Sequence, residues 1–418
     1  MTAPTRVAIV CDYQLGYLGG AQTALLEQAR VLAGAGHPVI MIAPEEPVAP
    51  ALPDGVPVLR IPSRGTLPGL RLPLIMNTPA VRARLRGWLR DHRIDVVHLH
   101  SEFGLAAAAI DVAAELGVPV VHTVHTFFWQ TRFPGQHALA TAVTAFHRRL
   151  TGWPADPAPR LADRAGESAL RAMTWRIARR ATVVISPSAH QAERLREAGV
   201  GRVEVVPNTL ASAPDPSEPP QPYRPVKIIW LGRCTPEKRI LPFVRAAVAA
   251  IRRTGPGRLR FTVAGSGQQL AAARRIAAGI DEITFLGARP HHEVAGLLHD
   301  HHLLALTSYG FDNQPMSITE TVLAGRGVLY CDPRLTEGTA DGSGLLTDGP
   351  DESALTDRLV QLADSPDQVA AACHAARSNR VIFEPPAFLT KINEIYRSVH
   401  PGNTRLLPDA SGERRPQA

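Results

Sequence analysis

Short apolar runs alternate with stretches of helical spacing along this 418-residue chain. The runs at 7–11, 39–42, 96–99, 118–121, 183–185 and 203–206 are rich in valine and isoleucine and too short for buried helices, so they read as strands. Between them, 22–33, 103–116 and 188–198 place leucine and alanine at i, i+3 and i+4, the spacing of a helix with one buried face. Strands without a polar alternation, separated by helices, predict a parallel doubly wound sheet. Residues 211–225 hold six prolines and fit neither helix nor central strand. A second series then opens, with strands at 226–231, 260–264, 282–286 and 303–306 and helices near 239–253, 268–278, 291–299 and 317–325.

The pattern divides the chain into a Rossmann-like domain over 1–210, a stiff linker over 211–225 and a second Rossmann-like domain over 226–380. A helix over 381–403 is expected to pack back toward the first domain, followed by a polar, disordered tail over 404–418. Two such sheets leave a cleft between their carboxyl ends, where ligands of open α/β sheets bind. Residues 131–180, with Trp153, several prolines and several arginines, read as an insertion that shapes this cleft.

Composition narrows the reading only a little. Hydrophobic residues make up 45% and charged residues 20%, as in soluble globular proteins. No stretch is long and apolar enough to span a bilayer, so the chain is expected in the cytoplasm. Cys11, Cys234, Cys331 and Cys373 lack metal-binding spacing and read as buried thiols. The net charge is +7, but the basic residues are dispersed and not interleaved with aromatics, so no nucleic-acid partner is expected. Nearly all of them are arginine; lysine occurs only at 227, 238 and 391, which singles out Lys238. The arginine-rich segment 81–93, with Trp88, is a partly amphipathic helix that suits the inner face of an anionic membrane or a solvated helix face.

Chemistry concentrates where strands end. Arg233 and Lys238 fall in one loop after the strand 226–231, placing two fixed cations before one anion, such as a diphosphate. Asp312 and Glu320 flank the start of a helix, where two carboxylates can take ribose and sugar hydroxyls and free N–H groups can face a ligand. Gly19-Gly20 opens the first helix and lets backbone approach a phosphate. His125 follows a strand end and reaches the cleft as a hydroxyl partner. His98 and His100 share a face but have no third metal ligand, and Gly265-Ser-Gly267 is only a fragment of a dinucleotide fingerprint.

This ordered set resembles the retaining family-4 glycosyltransferases of GT-B fold over nearly the whole chain. The carriers are Gly19-Gly20, His125-Thr126, Val206-Pro207-Asn208, Leu231-Gly-Arg-x-x-x-Glu-Lys238, Val263-Ala-Gly-x-Gly267, Phe285-Leu-Gly287 and the acidic pair. The family's paired glutamates become Asp312 and Glu320 here, and the shorter first carboxylate puts sugar contacts at that end in question. The resemblance implies transfer of a hexose from a UDP- or GDP-sugar with retention. It assigns catalysis to His125, Arg233, Lys238 and Asp312, and needs no metal and no other cofactor because the two cations neutralise the diphosphate. It implies donor contacts from Gly19, Gly20, Arg233, Lys238, Gly265, Ala288, Arg289, Asp312, Asn313, Gln314, Pro315, Met316, Ser317 and Glu320. His100-Ser-Glu-Phe-Gly104 together with His122-Thr-Val-His-Thr126 is similar to bacterial glycolipid-forming members, which implies a lipid acceptor. A soluble acceptor, a pyridoxal-phosphate-dependent phosphorylase and a non-catalytic scaffold that binds a nucleotide sugar stay open.

Overall fold

The computed structural model describes residues 4–400 apart from 17–18, 47–53, 68–71, 132, 155 and 213–215, and contains two parallel sheets sandwiched by helices. The first uses β1 Val7–Val10, β2 Val39–Pro44 and β3 Val58–Ile61, then, after a small antiparallel pair of β4 Thr66–Leu67 with β5 Leu72–Pro73, β6 Val96–Leu99, β7 Val120–Thr123, β8 Val183–Ser186 and β9 Val203–Val205. Its order is β3-β2-β1-β6-β7-β8-β9, with Val7 opposite both Val39 and Val96. The second is built from β10 Val226–Leu231, β11 Leu259–Ala264, β12 Ile283–Gly287, β13 Leu303–Leu306, β14 Gly327–Tyr330 and β15 Gly344–Leu346, in the order β12-β11-β10-β13-β14-β15. In both, the strand order reverses beside the first strand, which opens a crevice at its carboxyl end.

Both faces of each sheet are covered because consecutive side chains of a strand point oppositely. Val7 and Ile9 pack on α1 Gly20–Gly34, while Ala8 and Val10 pack on α2 Pro79–Asp91 and α3 Gly104–Leu116. The α4 Gln136–Thr151, α5 Ala165–Ala178 and α6 Ala189–Glu197 helices complete the first domain. In the second, Ile228 and Trp230 meet α7 Ile240–Thr254, and Ala273 of α8 Leu270–Ile276 joins that core. Ile229 meets α9 Val294–His299 and α10 Met316–Leu323. The helices α11 Glu352–Asp364 and α12 Pro366–Asn379 extend the core that holds Ile228.

The last helix, α13 Pro385–Val399, returns to the first domain, where Phe388, Ile392 and Tyr396 enter the core that holds Val7 and Ile9. The Tyr396 hydroxyl shares a hydrogen bond with His98 Nδ1 at 2.7 Å. The expected tail over 404–418 lies outside the described residues. The linker is tied down by the fully buried Arg326, whose guanidinium donates to the Ser217 carbonyl at 2.9 Å and the Ser217 hydroxyl at 2.7 Å.

Some elements differ from the sequence expectation. The segment 131–180 contributes a packed helical pair, α4 and α5, in which Val143, Phe146 and Leu150 meet Leu170 and Met173. The segment 291–299 splits into a 3-10 turn His291–Glu293 and the short α9. The arginine-rich helix starts earlier, at Pro79, under a Thr78 cap on the Val81 N–H. Part of its polar equipment serves the fold: Arg82 donates to Asn77 and Arg86 to Glu115, and Trp88 packs against the core. Arg84, Arg90 and Arg93 remain exposed.

A candidate active site between the two sheets

On the side of the second sheet, the carboxyl ends of β10 and β13 build one cationic loop. Trp230 Nε1 donates to the Thr307 hydroxyl at 3.0 Å, and that hydroxyl donates to the Lys238 carbonyl at 2.9 Å. Thr307 thereby fixes the 3-10 turn Pro236–Lys238 to the neighbouring strand. The next residue, Arg239, sits at φ +57, a left-handed conformation that costs a non-glycine residue on the order of 1 kcal/mol and persists only where its surroundings hold it. Here its guanidinium is anchored on the Pro350 carbonyl. Lys238 Nζ then lies 2.5 Å from Asp312 Oδ1, while the other Asp312 oxygen accepts the Ser308 hydroxyl. Arg233 stands at the mouth, 58% exposed and 3.3 Å from Glu237.

Gly265 and Gly267 serve the packing of this loop. A Cβ on Gly265 would stand 1.8 Å from the Gly232 carbonyl oxygen, and one on Gly267 would stand 2.7 Å from that of Cys234. Cys234 N–H donates to the Ser266 carbonyl at 2.8 Å, which closes the two turns on each other.

Glu320, in the second turn of α10, holds His291 Nε2 at 2.7 Å, and this carboxylate pushes the imidazole pKa above its usual range against the opposing effect of burial. Helix α1, which opens at Gly20 behind Gly19, packs on α10 and brings Glu27 and Arg30 into the field of His291. Ala288 and Arg289 occupy the turn after β12, with Arg289 3.5 Å from Glu293. Met316 begins α10 after Pro315, and Ser317 is partly exposed in its first turn.

Asn313 and Gln314 spend their side chains across the cleft. Asn313 accepts the Ser188 hydroxyl and donates to the Val124 carbonyl at 3.2 Å, and Gln314 Oε1 accepts the Asn208 N–H at 2.7 Å. What they can offer a ligand is backbone N–H. The Val124 bond also brings the loop of Asp312 against the residue preceding His125. His190 adds a contact from α6 to the Asp312 carbonyl at 3.3 Å.

On the side of the first sheet, ionisable groups are buried. His125 Nε2 and His100 Nδ1 share a hydrogen bond at 2.8 Å, with the rings stacked. His98 is satisfied at both nitrogens, by Tyr396 and by the Thr123 hydroxyl at 2.7 Å. Burial drives the pKa of His98 and His122 down to about 3 and that of His125 to about 4, and drives His100 down as well. All four are neutral near pH 7. Asp12, two residues beyond β1, accepts the Ser101 hydroxyl at 2.7 Å and the N–H groups of Phe103, Leu105 and Ala106, so it caps α3 from below. Burial raises its pKa and these four donors pull it back. Glu102 is buried beside it and pushed up to about 8 by burial, with the Tyr13 hydroxyl donating to it at 3.1 Å.

Sequence patterning missed Asp12, Tyr13, His190, His291 and Thr307, and gave Glu102 no role beyond its place in His100-Ser-Glu-Phe-Gly104. A carboxylate directly after the apolar run at 7–11 was a readable signal for Asp12; His291 and Thr307 carry none without the fold. Among the described residues no cluster of three His, Cys, Asp or Glu side chains is arranged to hold a metal, and all four cysteines are free and buried.

Residues 18–211 match the profile of Glycosyltransferase Family 4. A phosphatidyl-myo-inositol mannosyltransferase of Mycolicibacterium smegmatis is 33% identical over 125 residues, covering 29% of this chain and 31% of the relative. A GDP-mannose-dependent alpha-mannosyltransferase of the same organism is 37% identical over 127 residues, covering 29% and 32%. The matched stretches thus span about a third of these curated relatives. Among solved structures, Anabaena Alr3699/HepE in complex with UDP superposes with a TM-score of 0.68 at 16% identity over 94% of this chain and 100% of that one. S. aureus TarM, in a mutant complex containing UDP, gives 0.67 at 11% identity over the same shares. With a family match confined to the first half and a fold shared along the described length, this chain carries a Glycosyltransferase Family 4 domain in a GT-B architecture.

Proposed function

We propose that the chain transfers a hexose from a nucleotide diphosphate sugar to a hydroxyl of a lipid acceptor, with retention of configuration. The observation that carries this reading is the Lys238–Asp312 pair at 2.5 Å, set against the Val124–His125 segment of the opposite domain. A departing diphosphate gains negative charge as its glycosidic bond breaks, and cations already in place stabilise that charge more than the ground state. Lys238 and Arg233 supply those cations, which removes the need for a divalent metal. Glu320 takes the ribose hydroxyls, exchanging its His291 partner for them, and Asp312 takes a sugar hydroxyl once the diphosphate has drawn Lys238 away. His125, neutral and steadied by His100, contacts the sugar near the reacting carbon. The leaving phosphate oxygen accepts the proton of the attacking hydroxyl on the same face, which returns the new bond to the configuration of the old one.

The lipid acceptor is supported by the relatives' names, which include phosphatidyl-myo-inositol mannosyltransferase and, in Acholeplasma laidlawii, alpha-monoglucosyldiacylglycerol synthase. No described helix is long and apolar enough to cross a membrane. Contact with the inner face of the cytoplasmic membrane is therefore assigned to the exposed arginines of α2. The experiment that tests the reading is release of GDP or UDP from a panel of their hexose conjugates, with and without vesicles that carry candidate acceptor lipids and with chelator present throughout. Release that depends on one conjugate and one lipid supports it; no release from any combination refutes it.

A further inference from the structure

Between α4 and α5, away from the Lys238 loop, lies an open groove of about 720 Å³ flanked by the segment 158–164. It exists because the face of α5 turned toward it carries alanine at 165, 169 and 172, positions one helical stripe apart whose small side chains leave the space unfilled. At one end of that stripe Arg176 is only 7% exposed. Its Nη2 donates to the Asp156 carbonyl at 3.1 Å, but its buried Nε has no partner. Arg160 and Arg164 join it from the flanking segment, with further N–H groups beyond those given to the carbonyls of Ala162, Asp163 and Thr131. The lining contains one carboxylate, Asp163, which lies 3.6 Å from Arg160 with its side chain fully exposed to water, and Glu167 stands 4.0 Å from Arg164 beside it.

Arginine side chains that line one groove suit phosphate oxygens, because each planar guanidinium offers several N–H donors in a fixed fork. We propose that this groove binds a phosphate-bearing group, held by Arg160, Arg164 and Arg176, with the carbon skeleton attached to that phosphate resting on the alanine wall. The same helix steadies the loop that leaves the candidate active site: the Thr174 hydroxyl donates to the Thr126 carbonyl at 3.2 Å, and Glu167 accepts the Thr131 N–H at 3.1 Å. The site is therefore assigned to the charged end of the acceptor, linked through α5 to the segment that follows His125. That last role rests on the transferase reading; the binding itself does not.

Calorimetric titration with glycerol 3-phosphate, and flotation with phosphatidylcholine vesicles with and without phosphatidylglycerol, test the proposal on the full chain. Arg164→Gln, at a half-exposed position and checked for an intact fold by circular dichroism, is expected to weaken binding about tenfold, and Arg176→Gln at least as much. Loss of glycerol 3-phosphate binding identifies a soluble phosphate as sufficient. Loss confined to the anionic vesicles identifies a lipid head group, provided that Arg84→Gln in α2 does not produce the same loss at the same salt. Unchanged binding of both probes in both variants, or no binding of either by the wild type, overturns the proposal. Thermal stabilisation by GDP and UDP is followed in parallel: its absence in the wild type counts against the transferase reading alone, and its persistence in Arg164→Gln separates this groove from the nucleotide site.

Discussion

At the carboxyl end of the first sheet, His98, His100, His122 and His125 are desolvated and neutral, and Glu102 is pushed toward its protonated form. At the corresponding end of the second sheet, Lys238 meets Asp312 as an ion pair and His291 hydrogen-bonds Glu320, with Arg233 open to solvent. One edge holds hydrogen-bonding groups stripped of charge, and the other holds charge in balance. The difference fits a reaction in which one partner is a hydroxyl and the other a leaving anion. Neutral imidazoles recognise hydroxyls without attracting counter-ions, whereas a diphosphate needs cations already in place.

The largest break in this contrast comes from acid. The imidazoles of His98, His122, His125 and His147 have folded pKa values of about 3 to 4, below the usual 6.5 of an unfolded histidine. Their contribution to stability is complete above pH 6.5 and is lost as the pH falls through that value toward 4, at up to about 1.4 kcal/mol per unit for each group. Amide exchange at pH 5 is therefore expected to open the first sheet well before the second. Equal protection of both sheets would end this account of the histidines.

Next, Asp12→Ala removes a buried acceptor from three backbone N–H groups and one hydroxyl. It is expected to cost about 3 kcal/mol or more in denaturant unfolding while leaving nucleotide binding to the folded fraction intact. Lys238→Ala acts on the other edge: under the proposed mechanism turnover falls by about a hundredfold or more with little change in melting temperature, and near wild-type turnover would remove its assignment. The smallest effect belongs to His291. Its raised pKa means that its pairing with Glu320 is complete below pH 6.5 and is lost as the pH rises through the elevated folded value. Nucleotide affinity is expected to increase severalfold over that rise, and His291→Ala to flatten the profile; an unchanged profile in the variant would exclude the exchange at Glu320.

Much of the doubly wound pattern could be read from the runs of valine and isoleucine, because buried parallel strands carry a continuous apolar signal. The short strands β14 and β15 and the late helices α11 and α12 lacked such a clear signal. Within the site, the spacing of Arg233 and Lys238 after one strand was enough to place them in one loop. The meeting of Lys238 with Asp312 follows from β10 and β13 being neighbours. By contrast, the use of Asn313 and Gln314 as bridges to Ser188, Val124 and Asn208 depends on how the domains close, which no local pattern encodes. The same holds for Thr307, whose single hydroxyl joins Trp230 to the Lys238 backbone.

Because α13 lies in the core of Val7 and Ile9, the chain's opening unit is discontinuous. A ribosome would have released the whole second unit before Tyr396 could reach His98, so this part of the first unit must stay open until synthesis nears residue 396. Its exposed valines would have to survive that interval, and a fragment ended at the linker would never cover them.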